Sequence, residues 1–137
     1  MKQIIKFSII AIIAIGVFAC HRQKADFIGP GYIDAPKGFT VTSFTTSTTS
    51  IDLSPAASAV LFNATFPATV SWVLTITGQK SGAISTLKGT SNGFTGEIWK
   101  GVQDNIYFFR KGENVTATLS FYGTTYTTSL VINLINV

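Results

Sequence analysis

The side chains able to do chemistry are few, and they are badly placed for it. The chain holds one cysteine, Cys20, and one histidine, His21, side by side near its start. Nucleophilic catalysis needs a base held beside its nucleophile in a folded site. His21 directly follows Cys20, ahead of the domain, so Ser-His-Asp and Cys-His arrangements are excluded. Zinc needs clustered His or Cys ligands, and the single pair at the chain's head supplies no such cluster. One cysteine also rules out an intramolecular disulfide. Of the six acidic residues, Asp26 and Asp34 lie in the N-terminal segment, which leaves Asp52, Glu97, Asp104 and Glu113. None sits in a setting that suggests a raised pKa, so the four are read as solvated surface charges rather than as a glycosidase pair. Gly-rich phosphate loops are absent. The expectation is a protein that is not an enzyme and that takes no metal and no cofactor.

What Cys20 can do depends on the residues before it. Lys2 and Lys6 form a basic start, and Phe7 to Ala19 is a run of 13 uncharged residues. A membrane-spanning helix needs about 20 apolar residues, whereas the core of an export signal needs roughly 7–15. The run fits the signal, and Ala19 is the small residue expected before a cut. Val17-Phe18-Ala19-Cys20 resembles the bacterial lipoprotein consensus of an aliphatic, a variable and a small residue followed by cysteine. That resemblance implies cleavage before Cys20 and a diacylglyceryl group plus an N-acyl chain, palmitate among them, on Cys20. Residues 1–19 are then a lipoprotein signal peptide, and Cys20 is the lipidation site that joins the protein to membrane lipid. Burial of acyl chains contributes about 0.8 kcal/mol per CH₂, and two or more chains hold firmly. The expected location is a bacterial membrane, the outer one, through the lipid anchor.

Loss of Lys2 and Lys6 with the signal lowers the formal charge from +4 to +2. With no basic stripe in what remains, no nucleic-acid partner is expected.

The elements that must carry any binding surface are strands. Residues 20–137 include 19 Thr and 11 Ser, joined by many Val, Ile, Phe and Tyr, which are the residue types that fit a pleated, half-solvated surface. Residues 20–38 have no sustained period and contain Gly29-Pro30-Gly31 and Ala35-Pro36-Lys37-Gly38, which reads as a tether. The domain is expected at 39–137. The Thr/Ser stretch from Thr45 to Ser50 reads as a polar edge strand or turn.

Alternation is clean further on. Val60, Phe62, Ala64 and Phe66 share one face, then Val70, Trp72, Leu74 and Ile76, then Val115, Ala117, Leu119 and Phe121. Period two, with polar residues between, marks strands that cover a core on one side. Val60, Phe62, Phe66, Trp72, Leu74, Ile76, Leu119 and Phe121 are the expected core. Gly78 to Gly82 should close a hairpin, Asn92-Gly93 a tight turn, and Lys111-Gly112 and Gly123 should end further strands. The nearly all-apolar Leu130 to Val137 reads as a closing strand buried on both faces. The sequons at Asn63 and Asn114 read as strand residues. Short strands without helices between them predict an all-β, immunoglobulin-like antiparallel β-sandwich.

Ser71-Trp72-Val-Leu-Thr-Ile-Thr77, Gly82-Ala-Ile84, Leu87-Lys-Gly89, Ile98-Trp99-Lys-Gly101 and Val115-Thr-Ala-Thr-Leu119 resemble the immunoglobulin-like module of flagellar hook-capping proteins, a type that recurs in envelope proteins of Bacteroidota-type bacteria. The resemblance covers about residues 60–122. It implies an assembly, docking or spacing role with an envelope protein as partner. A glycan-binding or adhesion module is the alternative, with Trp99, Tyr107, Tyr122 and Tyr126 as the possible ligand-contact residues, because aromatic faces stack on sugars. Packing is favoured over stacking for Trp99, whose ring can fold over the core edge while Gly101 frees the turn. A further alternative is that the sequence is the N-terminal part of a longer multidomain lipoprotein.

Overall fold

The computed structural model describes residues 31–137. Cys20, His21 and the expected signal segment lie outside the described residues. Six strands follow in order: β1 (Ser43–Thr46), β2 (Ser50–Asp52), β3 (Val60–Gly78), β4 (Ile84–Trp99), β5 (Asn114–Phe121) and β6 (Thr127–Asn136). No helix occurs among the described residues, and the fold is an all-β, sandwich-like one.

The long β3–β4 hairpin organises the rest. Its register runs without a shift from Val70 opposite Ser91 to Thr77 opposite Ile84, and it is closed by residues 79–83, as the Gly78-to-Gly82 signal predicts. Beyond Val70 the register breaks, and pairing resumes with Thr65 opposite Gly93. The extra residues on β3 bend the hairpin, as bulges do. The half of β3 before the break pairs with β1, and the half after it pairs with β5. The hydrogen-bonded order is β1-β3-β5-β6-β2, with β4 on β3. Only residues 47–49 separate β1 from β2, so one short stretch of chain pairs first with β3 and then with β6, curling the sheet back on itself. The β2–β6 pair is parallel, which corrects the all-antiparallel expectation.

Asn92-Gly93 is not the tight turn its composition suggests. It lies inside β4 at the bend, where Gly93 has φ +146° and a Cβ would press on the Ala64 carbonyl oxygen at 2.5 Å. The same freedom that suits glycine to a turn here lets two backbones approach.

The period-two faces become the core. Val60, Phe62, Phe66, Trp72, Leu74, Ile76, Leu119 and Phe121 are all buried. Phe66 and Phe121 meet edge to face at 5.1 Å, and Trp72 lies 4.4 Å from Phe94. Two expectations need correction. Leu130 to Val137 is buried on one face only: Ile132 and Leu134 point inward while Val131, Ile135 and Val137 are exposed. Apolar composition hid an ordinary alternation. The expected tether also stops short of Gly38, because the compact unit begins at Tyr32. Ser71 N donates to the Ile33 carbonyl at 2.8 Å, Ile33 N donates to Ser71 Oγ at 2.8 Å, and Ala35 N donates to the Tyr122 carbonyl at 2.7 Å. A strap held at so few points leaves no periodic signature.

Candidate functional site: the loop from Trp99 to Phe109

Sequence reasoning offered four aromatic rings, and the structure does not bring them together. Trp99 is buried, only 2 % exposed, and meets the buried Phe109 edge to face at 5.0 Å. Gly101, at φ +79°, turns the chain away at once, with Leu53 filling the space a Cβ would need. Trp99 is therefore a packing residue, which corrects its candidacy as a ligand contact. Tyr122 is half-buried, with its ring stacked on Tyr32 at 4.0 Å and 9°. Tyr126 is half-buried against Phe39 and Phe121. Tyr107 alone of the four is well exposed, at 53 %.

The Trp99–Phe109 contact clamps the base of a loop that closes on itself, in the manner of an Ω-loop. Two polar residues fix its middle to the outer edge of β4. Asp104 N donates to the Ile84 carbonyl, and Thr86 N donates to Asp104 Oδ2. Asn105 Oδ1 accepts from Ile84 N at 3.1 Å, while Asn105 Nδ2 donates to the Gly82 carbonyl at 2.9 Å. These bonds turn the Asn105 side chain and one Asp104 carboxylate oxygen toward the sandwich. Beside the exposed Asp104, the loop turns outward four large side chains, Val102, Ile106, Tyr107 and Phe108, with Ile106 83 % and Phe108 72 % exposed. Ile98, Val102, Leu87 and Trp99 also line a shallow cleft of about 310 Å³ between the two ends of β4.

Sequence reasoning missed this surface. The signal was present as four consecutive large apolar residues, Ile106 to Phe109, between Asp104-Asn105 and Lys111-Gly112. Only Phe109 turns in.

Glu113 was expected on the surface and is instead fully buried, at 0 % exposure. Its carboxylate accepts from Arg110 N, from Ser81 N at 2.9 Å, from Ser81 Oγ at 2.8 Å and from Lys80 N at 3.0 Å. Burial pushes this carboxyl up, but the bonds from Arg110, Ser81 and Lys80 outweigh it and hold Glu113 below the usual carboxylate range. The group ties the β3–β4 turn to the turn before β5. A carboxylate held ionised by fixed amide donors is a structural brace, with no proton to exchange near neutral pH. Asp52 is likewise held low, by the Ser54 hydroxyl and then the Ser54 backbone N–H. Among the described residues no three His, Cys, Asp or Glu side chains converge as a metal site would require.

The fold and this surface define an all-β domain with an exposed apolar loop. Compared with known protein families, with curated proteins and with solved structures, the chain finds no match.

Proposed function

We propose that this chain is exported, lipidated on Cys20 and held at a bacterial outer membrane, where its immunoglobulin-like sandwich is a non-catalytic module that docks or spaces envelope proteins. The observation that carries the docking role is the open edge of β4. Among the described residues β4 pairs only with β3. The backbone groups of Ile84 and Thr86 face outward, where Asp104 and Asn105 cap them. Strand alternation puts the N–H and C=O of Lys88 and Thr90 on the same outer edge, with no such cap among the described residues. An extended segment of a partner can add there through main-chain hydrogen bonds. The glycan alternative calls for coplanar exposed rings, and it is disfavoured by Trp99 lying inside and by Tyr122 and Tyr32 facing each other.

Chemical cross-linking on intact cells, followed by identification of what is attached to the tagged chain, tests the reading. Proline removes one backbone donor and is tolerated on a strand edge. Thr90→Pro should therefore abolish the cross-linked partner while leaving the folded domain's melting cooperative. An unchanged adduct in that variant would contradict docking at β4, and micromolar binding of a polysaccharide with no protein adduct would establish the glycan alternative.

A further inference from the structure

We infer that the Val102–Phe108 loop is a bilayer contact: its tip enters the acyl boundary of an anionic membrane and sets how the sandwich lies on it. The inference goes beyond docking at β4, and it rests on the reading that the protein stands at a membrane.

The side chains are of the right kind in the right order. Ile106, Tyr107 and Phe108 are three successive apolar residues, all exposed, and Val102 is exposed on the same loop. Aliphatic side chains favour the acyl region, and amphipathic aromatic rings such as that of Tyr favour the headgroup level. Exposed Lys100 stands at one end of the loop, and exposed Arg110 and Lys111 stand at the other. Lys80 joins them from the neighbouring turn, where its Nζ donates to the Gly112 carbonyl at 3.3 Å. The acids nearby keep their charge but are tied down, Asp104 by Thr86 N, Glu113 by four donors and Asp52, near Lys111, by Ser54, and the four cations outnumber these three. An apolar tip ringed by cations complements an anionic headgroup layer over hydrocarbon.

The loop is also built to keep its tip out. The Trp99–Phe109 clamp and the Asp104 and Asn105 bonds hold it to the sandwich, so the tip does not need to be ordered on contact. A preformed contact avoids that entropy cost.

Geometry permits the loop and the anchor to share one bilayer. The chain joins the sandwich at Ile33, beside Ser71, whereas the loop is bonded at Gly82 and Ile84, by the far end of β3. Seven residue steps separate Ser71 from Gly78, about 23 Å at strand rise. Residues 21–31 reach at most about 36–40 Å. A lipid on Cys20 would raise the local concentration of a tip whose own affinity is weak.

The test uses the full chain reconstituted in vesicles of mixed phosphatidylcholine and phosphatidylglycerol carrying brominated acyl chains. Trp72 and Trp99 are both buried, so the wild-type chain should lose little tryptophan emission to bromine. The Phe108→Trp chain should lose most of its added emission and shift to the blue. In phosphatidylcholine alone, or with Lys100→Glu and Lys111→Glu added, the loss should shrink. A Thr118→Trp chain, reporting from the outer sheet face, should stay unquenched. Flotation read on the same vesicles separates the two readings. Chains that float without quenching at 108 overturn the loop contact and leave the attachment standing, whereas chains that do not float defeat both. Equal quenching at 108 and 118, or a blue shift at 108 that appears only when an envelope protein is added, would also overturn it, the latter in favour of a protein partner for the tip.

Discussion

Ile76 and Ile106 carry the same side chain, and the fold treats them oppositely. Ile76 alternates along β3 with Thr75 and Thr77 and is 0 % exposed; Ile106 sits in a loop bonded through its polar residues and is 83 % exposed. The difference teaches that apolarity alone does not take a residue inside. On β3 the pleat turns every second side chain to the core face, alongside those of β5 and near the aromatic cluster of Phe66, Phe94 and Phe121. In the loop, Asp104 and Asn105 spend their hydrogen bonds on the edge of β4, and the residues after them are left facing water. One region's apolar side chains hold the fold together, and the other's are free for a surface.

The comparison can be broken first on its buried side. Leu74 is fully buried and pairs across to Leu119, so Leu74→Ala should cost about 2–5 kcal/mol. Urea melts would show it, and a loss below about half a kcal/mol would mean that the strand face is not the core.

How much of this was legible beforehand follows from the same physics. The strand faces at Val60–Phe66, Val70–Ile76 and Val115–Phe121 were legible because burial on one side imposes period two on the sequence. β4 was not, since Gly89, Gly93 and Gly96 and the polar residues among them erase the alternation at the bend where β3 comes close. The last strand misled in the other direction: Val131 and Ile135 are apolar yet exposed, so composition suggested two buried faces where there is one. Of the candidate site, Tyr107 was named for its ring. Its neighbours Ile106 and Phe108 were invisible as a surface, because only the long-range bonds from Asp104 and Asn105 decide that this apolar run stays outside. Glu113 escaped for the same reason, since its donors come from residues 80, 81 and 110.

That brace gives the next effect in size. Replacing the carboxylate by an amide sets an N–H₂ against donors, so Glu113→Gln should cost about 1.5–3 kcal/mol at neutral pH. The sign with pH is fixed by the lowered pKa. The wild-type advantage is complete above the unfolded carboxyl's value and is lost as pH falls through the folded one. Melts of both chains across that acid range should therefore converge. A gap that widened toward low pH would mean that Glu113 is protonated in the fold.

The smallest expected effect is the most telling. If the loop's apolar side chains serve a surface and not the fold, the double change Ile106→Ser, Phe108→Ser should leave the urea midpoint and slope unchanged, within about 0.5 kcal/mol, as for other surface substitutions. A loss of about 2 kcal/mol or more in that single melt, on the scale of a core truncation, would contradict the account by placing those residues in the packed interior.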